Sequence, residues 1–440
     1  MYSNRQIWTI TYPIFLGLLA QNIINVTDTA FLGRVGEVEL GASAMGGLYY
    51  ICIFTIAFGF STGSQILIAR RNGERNYADI GPVMVQGIAF LLLLALLLFA
   101  FSRAFVPDVM RLLISSDTIW ETTVRFLEWR VYGFFFIFVG VMFRALFIGI
   151  TRTKVLTLNS LVMAFSNVLL DYGLIFGHWG LPRMGVEGAA IASVISEAIS
   201  VLFYVVYTYL TVDRAKYALN RFRRFDMGLL RHILAISIFT MLQYLISMST
   251  FFLLFVVVEH LGQRSLAVAN IIRSIYVVML IPVNSLSMTT NTLVSNVIGA
   301  GQKERVLPLI RRITTGSAGI MLLCVGGLLL FPRLWLSLYT NDAALIEASL
   351  PALYVLSVAL ITSAASNIVF SGVSGTGNTQ AAMYMELGTL CFYCCAIYLI
   401  GVYWRKPVAY CFLPEILYYL GLLVASSLYL KRARWQDKQI

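Results

Sequence analysis

The sequence predicts an all-α polytopic membrane protein: twelve transmembrane helices in two pseudo-symmetric six-helix lobes. Three observations predict it. The chain is 59% hydrophobic and only 12% charged, where a soluble domain carries about 25% charged residues. Apolar runs near the bilayer-crossing length of about 20 residues recur along its whole length. Landmark motifs of the first half return in the second at a nearly constant offset.

Taken in order, the spans are expected at 8–32, 43–69, 82–101, 126–150, 157–177, 187–210, 233–258, 265–298, 308–331, 346–373, 380–403 and 408–430. Met1–Arg5 leads straight into the first span with no small-residue cleavage site, so no cleaved signal is expected. That span holds Gln21, Asn25 and Asp28 on one face. An ionised side chain at mid-helix costs roughly 2.5–3.5 kcal/mol on insertion scales, so Asp28 should face a polar interior. The third span is nearly pure Leu, Ala and Phe from Ile88 to Phe101. The second and eighth are rich in Ser, Thr, Gly and Asn, which are costly against lipid and belong inside the bundle.

Orientation follows from Lys and Arg. Twenty fall on the side of the termini, among them Arg70, Arg71, Lys154, Arg223 and Lys303, and ten on the other, Arg130 included. Both termini are therefore expected to be cytoplasmic. The net charge of +11 is then topogenic, and no nucleic-acid partner is implied. The longest cytoplasmic connection, with the basic run Asn220–Asp226, divides the chain into an amino lobe (1–212), a linker (213–232) and a carboxy lobe (233–440). The six cysteines lie in apolar segments and read as small apolar residues. The three histidines lie at span ends without an i, i+4 partner, so neither a metal centre nor a cofactor is expected.

The halves are repeats. Gly36 pairs with Gly262 and Gly73 with Gly299, both 226 apart, and Phe147-Ile-Gly is aligned with Phe370-Ser-Gly at 223. Six helices per half give both halves the same orientation, related by an axis along the membrane normal. Such halves suit alternating access about a central site.

The intramembrane polar groups are the candidate chemistry. Asn167 and Asp171 are spaced i, i+4 on one face of the fifth span, where Asp28 meets them if the first and fifth spans pack together. Two carboxylates and an amide offer hard oxygens to Na+. The same two carboxylates in a dry site cannot both stay ionised easily, so they equally suit a proton. Residue type leaves Na+ or H+ open. Glu197 and Arg144 are read as an ion pair, and Arg273 and Glu386 as structural. Gln21, Asn25, Tyr49 and Phe54 in the first two spans, with Gln243 and Met248 in the seventh, are the candidate substrate contacts. Further aromatics (Tyr50, Phe58, Phe251, Phe252) add rings on which flat cations stack.

These residues resemble the MATE (multidrug and toxic compound extrusion) family over nearly the whole chain. The resemblance rests on Pro13, Gln21, Asn22 and Asp28; on Ser61–Gly73 and its counterpart Thr289–Gly301; on Asn167–Asp171 with Phe176-Gly177; and on Gly185–Ser193. It implies a V-shaped, monomeric inner-membrane antiporter that exports cationic or amphipathic small molecules against Na+ or H+. It further implies that Asp28, Asn167 and Asp171, with Ser193 at a position where the family often has Thr, form the amino-lobe cation site. The stretches 243–249 and 363–367 lack the acids that NorM-type members carry in helices 7 and 10, a departure closer to the DinF-like pattern. A carboxy-lobe site is not expected. The competing readings are a lipid-linked oligosaccharide flippase, which needs a cationic cavity, and an integral-membrane enzyme, for which no His/Asp/Ser or HExxH-type group is present.

Overall fold

A computed structural model describes residues 2–220, 225–433 and 435–437, without the side chains of Phe251, Phe252, Glu259 and Asp437. Most of the basic run Asn220–Asp226, and the side chains of the candidate aromatics Phe251 and Phe252, lie outside the described residues. The described chain is helical, with no strand: α1 Asn4–Val35, α2 Glu37–Gly73, α3 Ile80–Leu113, α4 Asp117–Arg130, α5 Gly133–Gly149, α6 Lys154–Phe176 and α7 Gly185–Thr211. Then come α8 Met227–Glu259, α9 Gln263–Gly299, α10 Val306–Leu330, α11 Pro332–Ser337, α12 Ala343–Gly375, α13 Thr379–Ile397 and α14 Leu413–Arg432. Among the described residues, eleven helical segments are long and apolar enough to cross a membrane, and α4 with α5, bent by 53° at a short break, makes a twelfth when the pair is taken as one span. The fourth span thus starts earlier than expected and is broken at Val131–Tyr132.

Burial follows the sequence pattern. Leu92, Leu93, Leu96 and Leu97 of α3 are exposed and offer an apolar face to lipid. The polar end of α9 is the reverse, with Ser285, Thr289, Thr290, Asn291, Thr292, Ser295 and Asn296 all buried.

The repeat is more regular than the sequence suggests. Helices α2 and α9 both contain 37 residues and start and end 226 apart. Each is followed by a one-turn 3-10 helix, Tyr77–Asp79 and Lys303–Arg305, again 226 apart. Left-handed residues recur at the same offset: Arg75 (φ 59°) with Gly301 (φ 74°), and Thr151 (φ 60°) with Gly377 (φ 88°). α5 and α12 end at Gly149 and Gly375, so the third landmark is also 226 apart. The alignment of Phe147 with Phe370 is therefore three residues out. Three residues are close to one turn of about 3.6, which leaves the matched pattern on the same helix face and hides the slip.

The chain divides into two compact units, an amino-terminal unit Tyr12–Met241 and a carboxy-terminal unit of Met1–Thr11 with Leu242–Ile440. The division cuts α1 and α8 rather than the linker, and the packing gives the reason. In the amino-terminal unit, Ser237 and Thr240 of α8 donate to the Phe60 and Gly59 carbonyls of α2 at 3.2 and 2.6 Å. A Cβ on Gly59 or Gly63 would fall within 2.3–2.5 Å of α8 atoms, so only glycine permits this approach. In the carboxy-terminal unit Thr11 donates to Thr289 at 2.9 Å. Thr11 and Ser237 are 226 apart, as are Gly63 and Thr289, so the two contacts are copies of one another.

Candidate functional site

The site is set by how α1 runs along α6. The Thr157 hydroxyl donates to the Pro13 carbonyl at 3.1 Å. A Cβ on Gly17 would lie 3.2 Å from the Ser160 hydroxyl. The Phe31 and Phe176 rings meet edge to face at 5.6 Å. Partner numbers keep an offset of 143–145 throughout, as parallel helices in register require. At offset 143, Asp28 must face Asp171, and it does: their carboxyls are within hydrogen-bonding reach. α7 holds α6 from behind, with Gly188 so near the Leu174 backbone that a Cβ would lie 2.7 Å away.

Asn167, one turn before Asp171, completes the group. Asn167 and Asp171 are 1% and 0% exposed. Four oxygens of the trio are buried without a hydrogen-bond donor: Asp28 Oδ1, Asn167 Oδ1 and both Asp171 carboxylate oxygens. Leaving buried polar atoms unpaired costs roughly 1–3 kcal/mol each. Four acceptors at one place therefore call for a proton or a small hard cation among them. Ser193 is half-buried on α7 and makes no hydrogen bond to the trio.

Three residues for which the sequence suggested other roles stand close by. Arg130 and Glu197 form a two-pronged ion pair at 2.6 and 3.0 Å. The Tyr50 hydroxyl donates to both Glu197 oxygens at 2.9 and 3.0 Å, and the Arg130 guanidinium lies 3.5 Å over the Tyr50 ring. Glu197 therefore pairs with Arg130, not with Arg144, whose guanidinium lies 5.3 Å from the Phe58 ring centroid. Arg130 is likewise not an outer-loop charge. It ends α4 at the break in the fourth span, and its side chain is only 12% exposed. Its charge acts on both Asp28 and Asp171. Gly133 makes the room: a Cβ there would fall 2.4 Å from both Arg130 Nη1 and Glu197 Oε2.

The candidate substrate contacts are divided between the two units. Gln21 and Asn25 are exposed on α1. Tyr49 is bonded to Ser102 of α3 at 2.5 Å, and Phe54 packs on Phe58 at 5.6 Å. Gln243 and Met248 belong to the carboxy-terminal unit. No group of three or more His, Cys, Asp or Glu is placed to hold a metal ion among the described residues.

Comparison with known proteins fits this geometry. The MatE family model matches residues 13–173 and 240–399, one match in each half. A probable multidrug resistance protein NorM of Synechocystis is 25% identical over 97% of this chain and 94% of its own. Another, of Agrobacterium fabrum, is 26% identical over 79% of this chain and 75% of its own. A multidrug resistance MATE family transporter of the MOP superfamily, solved in an outward-facing conformation, superposes with a TM-score of 0.89. It is 19% identical, over 97% of this chain and 94% of that one.

Proposed function

The chain belongs to the MatE family, and we propose that this NorM-like multidrug efflux transporter exports organic cations in exchange for Na+ or H+ bound at Asp28, Asn167 and Asp171. The observation that carries the reading is the set of four donorless oxygens where α1 meets α6. Two adjacent carboxyls away from water repel unless a proton or cation lies between them. Loading the site joins α1 to α6, and unloading it leaves like charges facing each other. A cation with different affinity for the two arrangements shifts the balance between them.

α1 is suited to respond. Pro13 removes one backbone donor inside the helix. The Thr27 and Thr29 hydroxyls donate back to the Ile23 and Asn25 carbonyls at 2.9 and 2.8 Å, a pattern that bends helices. Ser193, half-buried on the neighbouring α7, is proposed as an outer member of the site. Gln21, Asn25, Tyr49, Phe54, Gln243 and Met248 remain the proposed drug contacts. The protein is proposed to act as a monomer in the bacterial inner membrane with both termini cytoplasmic. A lipid-linked substrate would want cations where this site offers carboxylates.

The test loads liposomes containing the purified protein with ethidium and imposes a Na+ gradient or a pH gradient. Efflux driven by one gradient, and lost in Asp28→Asn, is the expected result. Efflux that survives Asp28→Asn with its gradient dependence intact would overturn the assignment.

A further inference from the structure

The carboxy-terminal unit holds a second polar cluster that the reading above does not use. Helices α8 and α13 are the repeat counterparts of α1 and α6. The contact between Gly17 and Ser160 becomes, 226 residues on, a contact between Gln243 and Glu386, whose side chains lie within hydrogen-bonding reach. Glu386 is 5% exposed. Its Oε1 accepts from Ser247 of α8, and from the Tyr418 hydroxyl of α14 at 3.3 Å. Its Oε2 has no donor, and neither does Gln243 Oε1.

Counting hydrogens shows a deficit. Ser247 has one hydroxyl proton but two acceptors in reach, Glu386 and the Gln243 carbonyl at 2.9 Å. The Gln243 carbonyl already accepts the helix bond from the Ser247 amide, so the hydroxyl is free to serve Glu386, and the shortage is at the two oxygens that have no donor, Glu386 Oε2 and Gln243 Oε1. One added proton or cation relieves the shortage. No Lys or Arg is paired with Glu386 among the described residues, in contrast with Glu197 and Arg130. The titratable groups on this side are Tyr418 directly and, behind it, Tyr419 and Glu415 of α14, Tyr393 of α13 and Tyr276 of α9. Glu415 differs from Glu386 in leaving neither oxygen orphaned: it accepts from Tyr393 at 2.8 Å and is also bonded by Tyr276, while Glu386 Oε2 has no donor. A buried carboxyl without a counter-charge is strongly disfavoured as a bare ion.

We propose that Glu386, with Gln243, Ser247 and Tyr418, forms a second monovalent-cation site, for H+ or Na+, in the carboxy-terminal unit. As a second coupling site it extends the function proposed above, but binding at Glu386 is independent of it. The site uses an acid on α13, where the sequence showed none on the seventh or tenth span. Relative to the Asp28–Asp171 pair it is 11 residues earlier on the equivalent helices (17 to 28, 160 to 171), about 16 Å along the axis.

The test is infrared difference spectroscopy of the protonated-carboxyl stretch in the purified full-length protein, titrated with pH and with Na+. It is run in an Asp28→Asn, Asp171→Asn background, so that the first site is silent whatever its role in transport. The expected result is a carboxyl band that responds to pH, disappears on adding Glu386→Gln, and shifts in frequency with Ser247→Ala. Suppression of the band by Na+ at fixed pH identifies Na+ as an occupant, and indifference to Na+ leaves the proton. Glu415→Gln should leave the band in place. If Glu386→Gln melts early or aggregates, the Ser247→Ala shift decides alone. A background protein with no titrating band, or one untouched by either substitution, overturns the proposal.

Discussion

The two halves share a backbone and differ in chemistry. At the repeat offset of 226, Asp28, Asn167 and Asp171 of the first half correspond to Leu254, Tyr393 and Ile397 of the second. The three counterparts are 2%, 4% and 0% exposed and belong to one apolar cluster. The same parallel helix pair is thus a polar joint in one unit and a greasy seam in the other. Helix lengths, one-turn 3-10 helices and left-handed turns are kept because packing and topology demand them. The polar set is not, so it is the part that function places. A difference of this kind supports the proposal of a cation site at Asp28, Asn167 and Asp171 in the amino-terminal unit.

The comparison is broken most directly by removing the joint. Asp28→Asn with Asp171→Asn should reduce gradient-driven ethidium efflux to the level of protein-free liposomes. The double variant should fold, because two amides can pair with each other and with Asn167. Retained efflux would make the joint structural, like its counterpart.

Next in size is the Arg130–Glu197 pair beside the joint. Removing one partner of a buried pair costs about 3–5 kcal/mol, since the other charge is left stranded. Arg130→Leu should therefore lower the melting temperature sharply, and Glu197→Leu added to it should restore much of the loss. No recovery in the double variant would mean that Tyr50 or the site carboxyls are what Arg130 chiefly serves.

Gly133→Ala should cost about 1–3 kcal/mol by overpacking the same network. Its Cβ meets Arg130 and Glu197 at 2.4 Å. Thermal melting reads this, and an unchanged melt would mean the ion pair shifts freely. The smallest effect is expected at the repeated contact between the start of each half's first helix and the polar helix it packs on. Thr11→Val removes one hydrogen bond to Thr289, worth about 1 kcal/mol. A Thr11→Cys, Thr289→Cys pair should form a disulfide on mild oxidation, and failure to do so would contradict that packing.

Much of this was legible in the sequence, for identifiable reasons. A carboxylate in an apolar run breaks the pattern that lipid imposes, so Asp28 and Asp171 announce themselves. The i, i+4 spacing then adds Asn167. Arg130 did not announce itself, because it lies near the edge of an apolar run, where arginines ordinarily reach for water. Only the bend between α4 and α5 turns it inward, and its partner Glu197 is 67 residues away. Glu386 was visible as an intramembrane acid, but Gln243, Ser247 and Tyr418 come from other helices and carry no spacing signal. The split of α1 and α8 between the units was hidden for a similar reason. It rests on glycines at positions 59 and 63 whose partners lie some 180 residues on.

The most direct test of the central claim records ion and drug movement together in one population of liposomes. Inward Na+ or H+ flux and outward ethidium flux are measured for the wild type and for Asp28→Asn, Asp171→Asn. The wild type should move drug and one of the two ions in a fixed ratio, and the variant should move neither while still binding ethidium. An unchanged ion-to-drug ratio in the variant would place coupling elsewhere in the chain.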